Sequence, residues 1–188
     1  MQDYHLARRA MVESQLRPQA VTDAAVLAAM DTVPREDFVP AEARAFAYFD
    51  RSIPLADGGA MMPPAALGRL LSEASPQAGE AALVIGPATG YAAALLSAIG
   101  LDVKQAAPGE VPSGKFDLIL IEGAIEEFPD SLAAKLAAGG RVATALVDRG
   151  VTRLAIGTSV GGAISLRTVA DADVAPLAAY QRPRSFTF

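Results

Sequence analysis

Cysteine and tryptophan are absent from this 188-residue chain, and histidine occurs once, at His5. Without cysteine there can be no disulfide, no thiolate metal site and no cysteine nucleophile. A single histidine near one end argues against a serine–histidine triad and against a histidine metal centre, so no metal is expected. Positive charge is also scarce, with 16 Lys and Arg against 21 Asp and Glu and a net charge of −5. A nucleic-acid partner would want a basic face. A local basic patch is possible at Arg182-Pro183-Arg184. No apolar run approaches the ~18–20 residues of a membrane span. The stretch from Met1 to Arg9 lacks the apolar centre of a secretion signal. The expectation is therefore a cytoplasmic protein with no nucleic-acid partner and no membrane partner.

What the chain does have is apolar residue, at 52%. Its length fits one domain with a real core. Residues 3–17 carry Leu6, Ala10, Val12 and Leu16 at helical spacing, and Pro18 ends the run. Thr22-Asp23 reads as a cap for a helix running through Val26, Leu27 and Met30 to about residue 31. Residues 33–40 and 41–64, punctuated by proline and glycine, read as turns and irregular segments; Pro64 then starts a helix to residue 74.

From Ala81 the pattern becomes strand, helix, strand. Strands are expected at 81–86, 101–105, 116–121 and 141–147, and helices at 89–99 and from Asp130 through Leu136 to a stop at Gly139-Gly140. Residues 151–157 and 163–169, joined around Gly161-Gly162, read as a C-terminal hairpin. The expected fold is α/β with a mostly parallel sheet. It is organised as one domain over 1–188, with an N-terminal extension (1–78) and a core (79–188).

The stretch from Ala82 to Tyr91 carries the most information. A buried strand runs into a turn, Gly86-Pro87-Ala88-Thr89-Gly90, and then a helix, as where α/β proteins hold a nucleotide-like cofactor. Gly86, Ala88 and Gly90 are the candidate cofactor-binding residues. Glu122 joins them, because it follows the central strand at the end where open sheets bind ligands. Asp117 begins that strand, at the wrong end for a ligand, and reads as structural.

Residues 106–115 hold two prolines and two glycines and cannot form the usual crossover helix. About ten extended residues reach ~33 Å, against the roughly 20 Å that a direct crossing needs. The strap can cross, but it should leave the sheet beneath without helical cover. An exposed apolar face, closed by a second copy in a homodimer, is the resulting expectation.

The ordered series Met11-Val12-x-x-Gln15-Leu16-Arg17, Val21-Thr22-Asp23-x-x-Val26-Leu27-x-Ala29-Met30, Val33-Pro34-Arg35-Glu36-x-Phe38-Val39-Pro40 and Ala47-Tyr48-x-Asp50 resembles the protein-L-isoaspartate O-methyltransferase family. The likeness continues through the Gly86 turn, Phe116 to Ile121, and Gly139 to Val142. It implies an S-adenosylmethionine-dependent, Rossmann-like methyltransferase fold, here with a trimmed central sheet and an N-terminal helical extension. It also implies S-adenosylmethionine as cofactor and damaged proteins bearing isoaspartyl residues as partners. The family's turn reads acid–x–Gly–x–Gly–x–Gly; here it is Val84, Gly86, Ala88 and Gly90. Ala106 and Ala107 stand where the family has a ribose-binding acid, and Met62 matches the family serine over the transferred methyl. Asp50 is a candidate for the substrate cleft. A left-handed backbone at Ala88 would crowd a ligand. Two classes stay open: a working or weakened carboxyl methyltransferase, and a non-catalytic binding or scaffold relative.

Overall fold

The computed structural model describes residues 3–160 and 163–182. Helix α1 (Tyr4–Met11) begins where the Asp3 carboxylate accepts the Leu6 amide, and a π-helical turn carries it on to Leu16. Helix α2 (Ala24–Thr32) starts on Asp23, whose carboxylate accepts the Ala25 and Val26 amides, as the Thr22-Asp23 pair implied. A two-strand hairpin, β1 (Ile53–Pro54) with β2 (Ala60–Met61), precedes α3 (Pro64–Ala74). The remaining elements are β3 (Ala81–Ile85), α4 (Tyr91–Ile99), β4 (Asp102–Ala106), β5 (Phe116–Ile125), α5 (Asp130–Ala133), β6 (Leu136–Asp148), β7 (Val151–Val160) and β8 (Ala163–Asp171).

One six-stranded sheet has the order β4-β3-β5-β6-β7-β8. The first four strands are parallel, and the β6–β7 and β7–β8 pairings are antiparallel. Side chains alternate between the faces of a strand, and each face meets its own cover. Ala82, Val84, Leu118 and Leu120 pack with Leu16, Met30, Leu67 and Tyr91 of the helical layer. Leu83, Ile85, Ile119 and Ile121 pack on the other side with Phe116, Leu132 and Tyr180.

Two expectations require correction. The helix after Asp130 is a single turn, and Leu136 to Gly140 belong to β6. Leu132 and Leu136 have helical spacing, but four residues are too few to hold a helix without strong packing. Pairing with β5 takes over instead. Gly139, at φ +77°, and Gly140 lie in a bulge, where Phe116 to Leu118 of β5 face the longer stretch Leu136 to Arg141 of β6. A Cβ on Gly140 would stand 3.0 Å from the Phe116 carbonyl oxygen.

The second correction concerns the strap. It does cross without a helix, from β4 over β3 to β5. The face beneath is nevertheless buried, with Leu83 and Ile85 at 0% exposure. The cover is the segment after β8, which runs back along β5. Ala124 donates to the Ala175 carbonyl, Leu177 donates to that of Ala124, and Glu126 donates to that of Tyr180. The observation on which self-association rested is therefore absent. Gly161-Gly162 and the end of Arg182-Pro183-Arg184 lie outside the described residues.

Candidate functional site

A cleft of about 680 Å³ opens at the C-terminal ends of β3, β4 and β5, the place where an open parallel sheet leaves a crevice for ligand. The turn after β3 forms its floor. Gly86 faces Glu122 across the strand ends so closely that a Cβ on it would stand 2.7 Å from the Glu122 Cβ. Gly90 lies at φ +77° as it starts α4, a conformation that suits glycine. Ala88 is exposed and is not among the residues at positive φ. The methyl group expected to crowd the turn thus sits on a backbone that carries it without strain. The two glycines that survive are those the geometry demands.

The walls come from three other places. Asp57, Gly58 and Gly59 project from the β1–β2 hairpin, and the Asp57 Oδ1 accepts the Gly59 amide at 2.9 Å. Gln105, Ala106, Ala107 and Glu110 form the β4 side; the Glu110 Oε2 accepts the Ala107 amide at 3.0 Å. Pro176 to Ala179 close the far edge. The sequence reading missed Asp57, Glu110 and this last segment. Asp57-Gly58-Gly59 carries a turn signal that could have been followed, while nothing local marks Pro176 to Ala179 as a wall.

Glu122 also lines the cleft, although it is only 1% exposed. Its Oε1 has no hydrogen-bond partner. Burial pushes its carboxyl up to about 7, while the Arg35 charge and a hydrogen bond from the Met62 backbone pull it down. Arg35 lies behind it, fully buried. Its Nε donates to the Ala47 carbonyl at 2.8 Å, and its Nη2 donates to that of Met62 at 2.7 Å. Its guanidinium stacks 4.9 Å from the Tyr91 ring centre. Burial lowers the Arg35 pKa, with Tyr91 and Glu122 opposing it. The Tyr91 hydroxyl is pushed up to about 12 by burial, against the Arg35 charge. The two groups interact without proper hydrogen-bond geometry, and Arg35 Nη1 and Tyr91 Oη are left unpartnered.

The other two candidates lie elsewhere. Asp50 is outside the cleft lining, and both its oxygens are engaged. One accepts the Ala65 amide at the start of α3, and the other accepts the Gln19 side-chain amide. Met62 contributes its backbone to Arg35 and Glu122, while the residue is 2% exposed and belongs to the core. Val84, in place of an acid, lines the floor at 4% exposure. Among the described residues no group of histidine, cysteine or carboxylate side chains could hold a metal, and no helix is long and apolar enough to cross a membrane.

Residues 7–107 match a family model described as protein-L-isoaspartate (D-aspartate) O-methyltransferase. The match stops where the strap begins. A protein-L-isoaspartate O-methyltransferase of Koribacter versatilis is 31% identical over 168 residues, covering 74% of this chain and 76% of the relative. One from Methylorubrum populi is 32% identical over 164 residues, covering 72% and 77%. In three dimensions, a Plasmodium falciparum protein of this description, solved with S-adenosyl-L-homocysteine, superposes with a TM-score of 0.75. That likeness covers 92% of this chain and 98% of the other at 15% identity, and it concerns the fold.

Proposed function

This chain belongs to the protein-L-isoaspartate O-methyltransferase family, and from that premise we propose that its cleft binds S-adenosylmethionine while methyl transfer to isoaspartyl carboxylates in damaged proteins is weak or absent. The observation that carries the first half is the open cleft over Gly86 and Gly90. Both glycines keep the close approach and left-handed turn that a cofactor-cradling loop uses.

The second half rests on what surrounds that loop. Transfer from a sulfonium needs alignment more than acid–base chemistry. Anchors for alignment are few here. β4 ends in Gln105-Ala106, and Val84 supplies no charge. Glu110 is the nearest carboxylate on that side, and one of its oxygens is already spent on the Ala107 amide. At Met62 there is no hydroxyl to receive a substrate carboxylate. Each missing charge-assisted hydrogen bond weakens the complex by ~1.5–3 kcal/mol.

Titration calorimetry with S-adenosylmethionine, followed by a methyl-transfer assay on an isoaspartyl peptide, tests both halves. Micromolar binding with little transfer is the expected result. Absence of binding at millimolar ligand would overturn the cofactor reading, and rapid transfer would overturn the second half.

A further inference from the structure

Building on the cofactor reading above, we propose that Glu122 makes this cleft select the cationic sulfonium of S-adenosylmethionine over the neutral thioether of S-adenosylhomocysteine. Among the described residues, three carboxylates line the cleft (Asp57, Glu110 and Glu122), and no lysine, arginine or histidine does. The first two are each held by a backbone amide. Glu122 also takes a hydrogen bond from the Met62 backbone, but unlike them it is 1% exposed and its Oε1 is buried without a partner.

A buried carboxylate oxygen without a donor costs stability. Burial works against the charged form of Glu122 more strongly than Arg35 and the Met62 backbone support it. A neutral residue of the same shape would fold more readily above neutral pH. Groups kept against the interest of folding gather at functional sites. The other charged or titratable groups on Glu122 are Arg35 and Tyr91. Neither lines the cleft. The Arg35 guanidinium is tied down behind Glu122 by the Ala47 and Met62 carbonyls and by the Tyr91 ring. Glu122 lines the cleft while its counter-charge does not, so its carboxylate acts on a ligand there through the low-dielectric interior rather than by contact.

The two ligands share their adenosine and amino-acid portions. They differ by one methyl group and one positive charge on sulfur. The ratio of their affinities thus cancels every shared contact and reports what the cleft does with that charge.

The test measures both dissociation constants by calorimetry, for the unmodified protein and for Glu122→Gln, at pH 6 and pH 8. The expected result is a ratio favouring S-adenosylmethionine by about fivefold or more at pH 8. That preference shrinks at pH 6 as the carboxyl takes up its proton. In Glu122→Gln the ratio is near one at both pH values, while S-adenosylhomocysteine affinity stays within about twofold. Equal ratios in the two proteins would overturn the proposal and leave cofactor binding standing. A pH-independent ratio in the unmodified protein would overturn it too, and that arm does not depend on the variant folding. If the unmodified protein binds neither ligand, the cofactor reading falls and this proposal falls with it.

Discussion

The Tyr180 hydroxyl accepts the Gly109 backbone amide at 3.0 Å, joining the strap to the segment that closes the far edge of the cleft. These residues are 71 positions apart in sequence. Gly109 lies at φ +92°, which leaves its amide free to point at the hydroxyl, and the strap gains a fixed position that no helix provides.

Tyr180→Phe removes that bond and keeps the ring in place. We expect a stability loss of ~1 kcal/mol and a several-fold weaker adenosyl ligand, because Glu110 and Ala179 are no longer held at a set spacing. Thermal unfolding and calorimetry on the same variant check both. A normal affinity would show that the strap keeps its place unaided.

The turn glycines divide by geometry. Gly90→Ala places a side chain in the left-handed region, at a cost of ~1–2 kcal/mol. Gly86→Ala drives a methyl into the Glu122 side chain and should abolish ligand binding, since the contact distance would be 2.7 Å. Ala88→Gly should change affinity by less than about twofold, because the backbone there does not need glycine. A large gain from Ala88→Gly would contradict the geometry of the turn.

Glu122 gives a pH dependence with a definite sign. Its folded pKa, about 7, lies above the ordinary value of 4.5. The folded state therefore holds a proton that the unfolded chain gives up between those values. This stabilisation is full below pH 4.5 and is lost as pH rises through 7. Glu122→Gln lacks the term, so its stability relative to the unmodified protein should rise across that interval and level off above it. Unfolding curves at pH 5, 6, 7 and 8 measure the difference. A flat difference would mean that Arg35 holds the carboxylate ionised throughout.

Arg35→Met should be the most damaging single change at the site. It strips Glu122 of its counter-charge and the Ala47 and Met62 carbonyls of their donor. A buried acceptor left without its donor costs ~1–3 kcal/mol, and two carbonyls lose theirs here. Adding Glu122→Gln should recover part of that loss, and a double-mutant cycle reads the coupling directly. Simple additivity would show that the two groups do not interact.

Asp50→Ala separates structure from function. It removes a carboxylate that accepts the Ala65 amide at the start of α3, so a loss of ~1 kcal/mol in stability is expected. Ligand affinity should be unchanged, because Asp50 is not part of the cleft.

Much of this arrangement is legible in the residues themselves. Asp23 and Pro64 announce helix starts, and Ala81 to Ile85 and Phe116 to Ile121 announce buried parallel strands. The Gly86 to Gly90 turn points to the ligand end of the sheet. Where the reading failed, the deciding interaction was non-local. Leu136 has a helical neighbour at Leu132 but a strand partner at Phe116. Asp148 to Val151 closes a two-residue hairpin with Arg149 and Gly150 both at positive φ. Its strands were foreseen, but the tight turn between them was not. The sheet face beneath the strap looked uncovered because its cover, Leu177 and Tyr180, is supplied from some 70 residues further on. Glu122 could be placed from sequence at a strand end, but its orphan oxygen and its Arg35 neighbour appear only once three elements are packed together.

The wall formed by Pro176 to Ala179 has a consequence for the order of events during synthesis. Gly86 and Gly90 leave the ribosome some ninety residues before that wall does. Until it arrives, Ile85 and Ile121 have no roof and the cleft has only three sides. A nascent chain can therefore fold its helical layer and parallel strands early, but it cannot hold a ligand in this cleft until the returning segment has docked along β5.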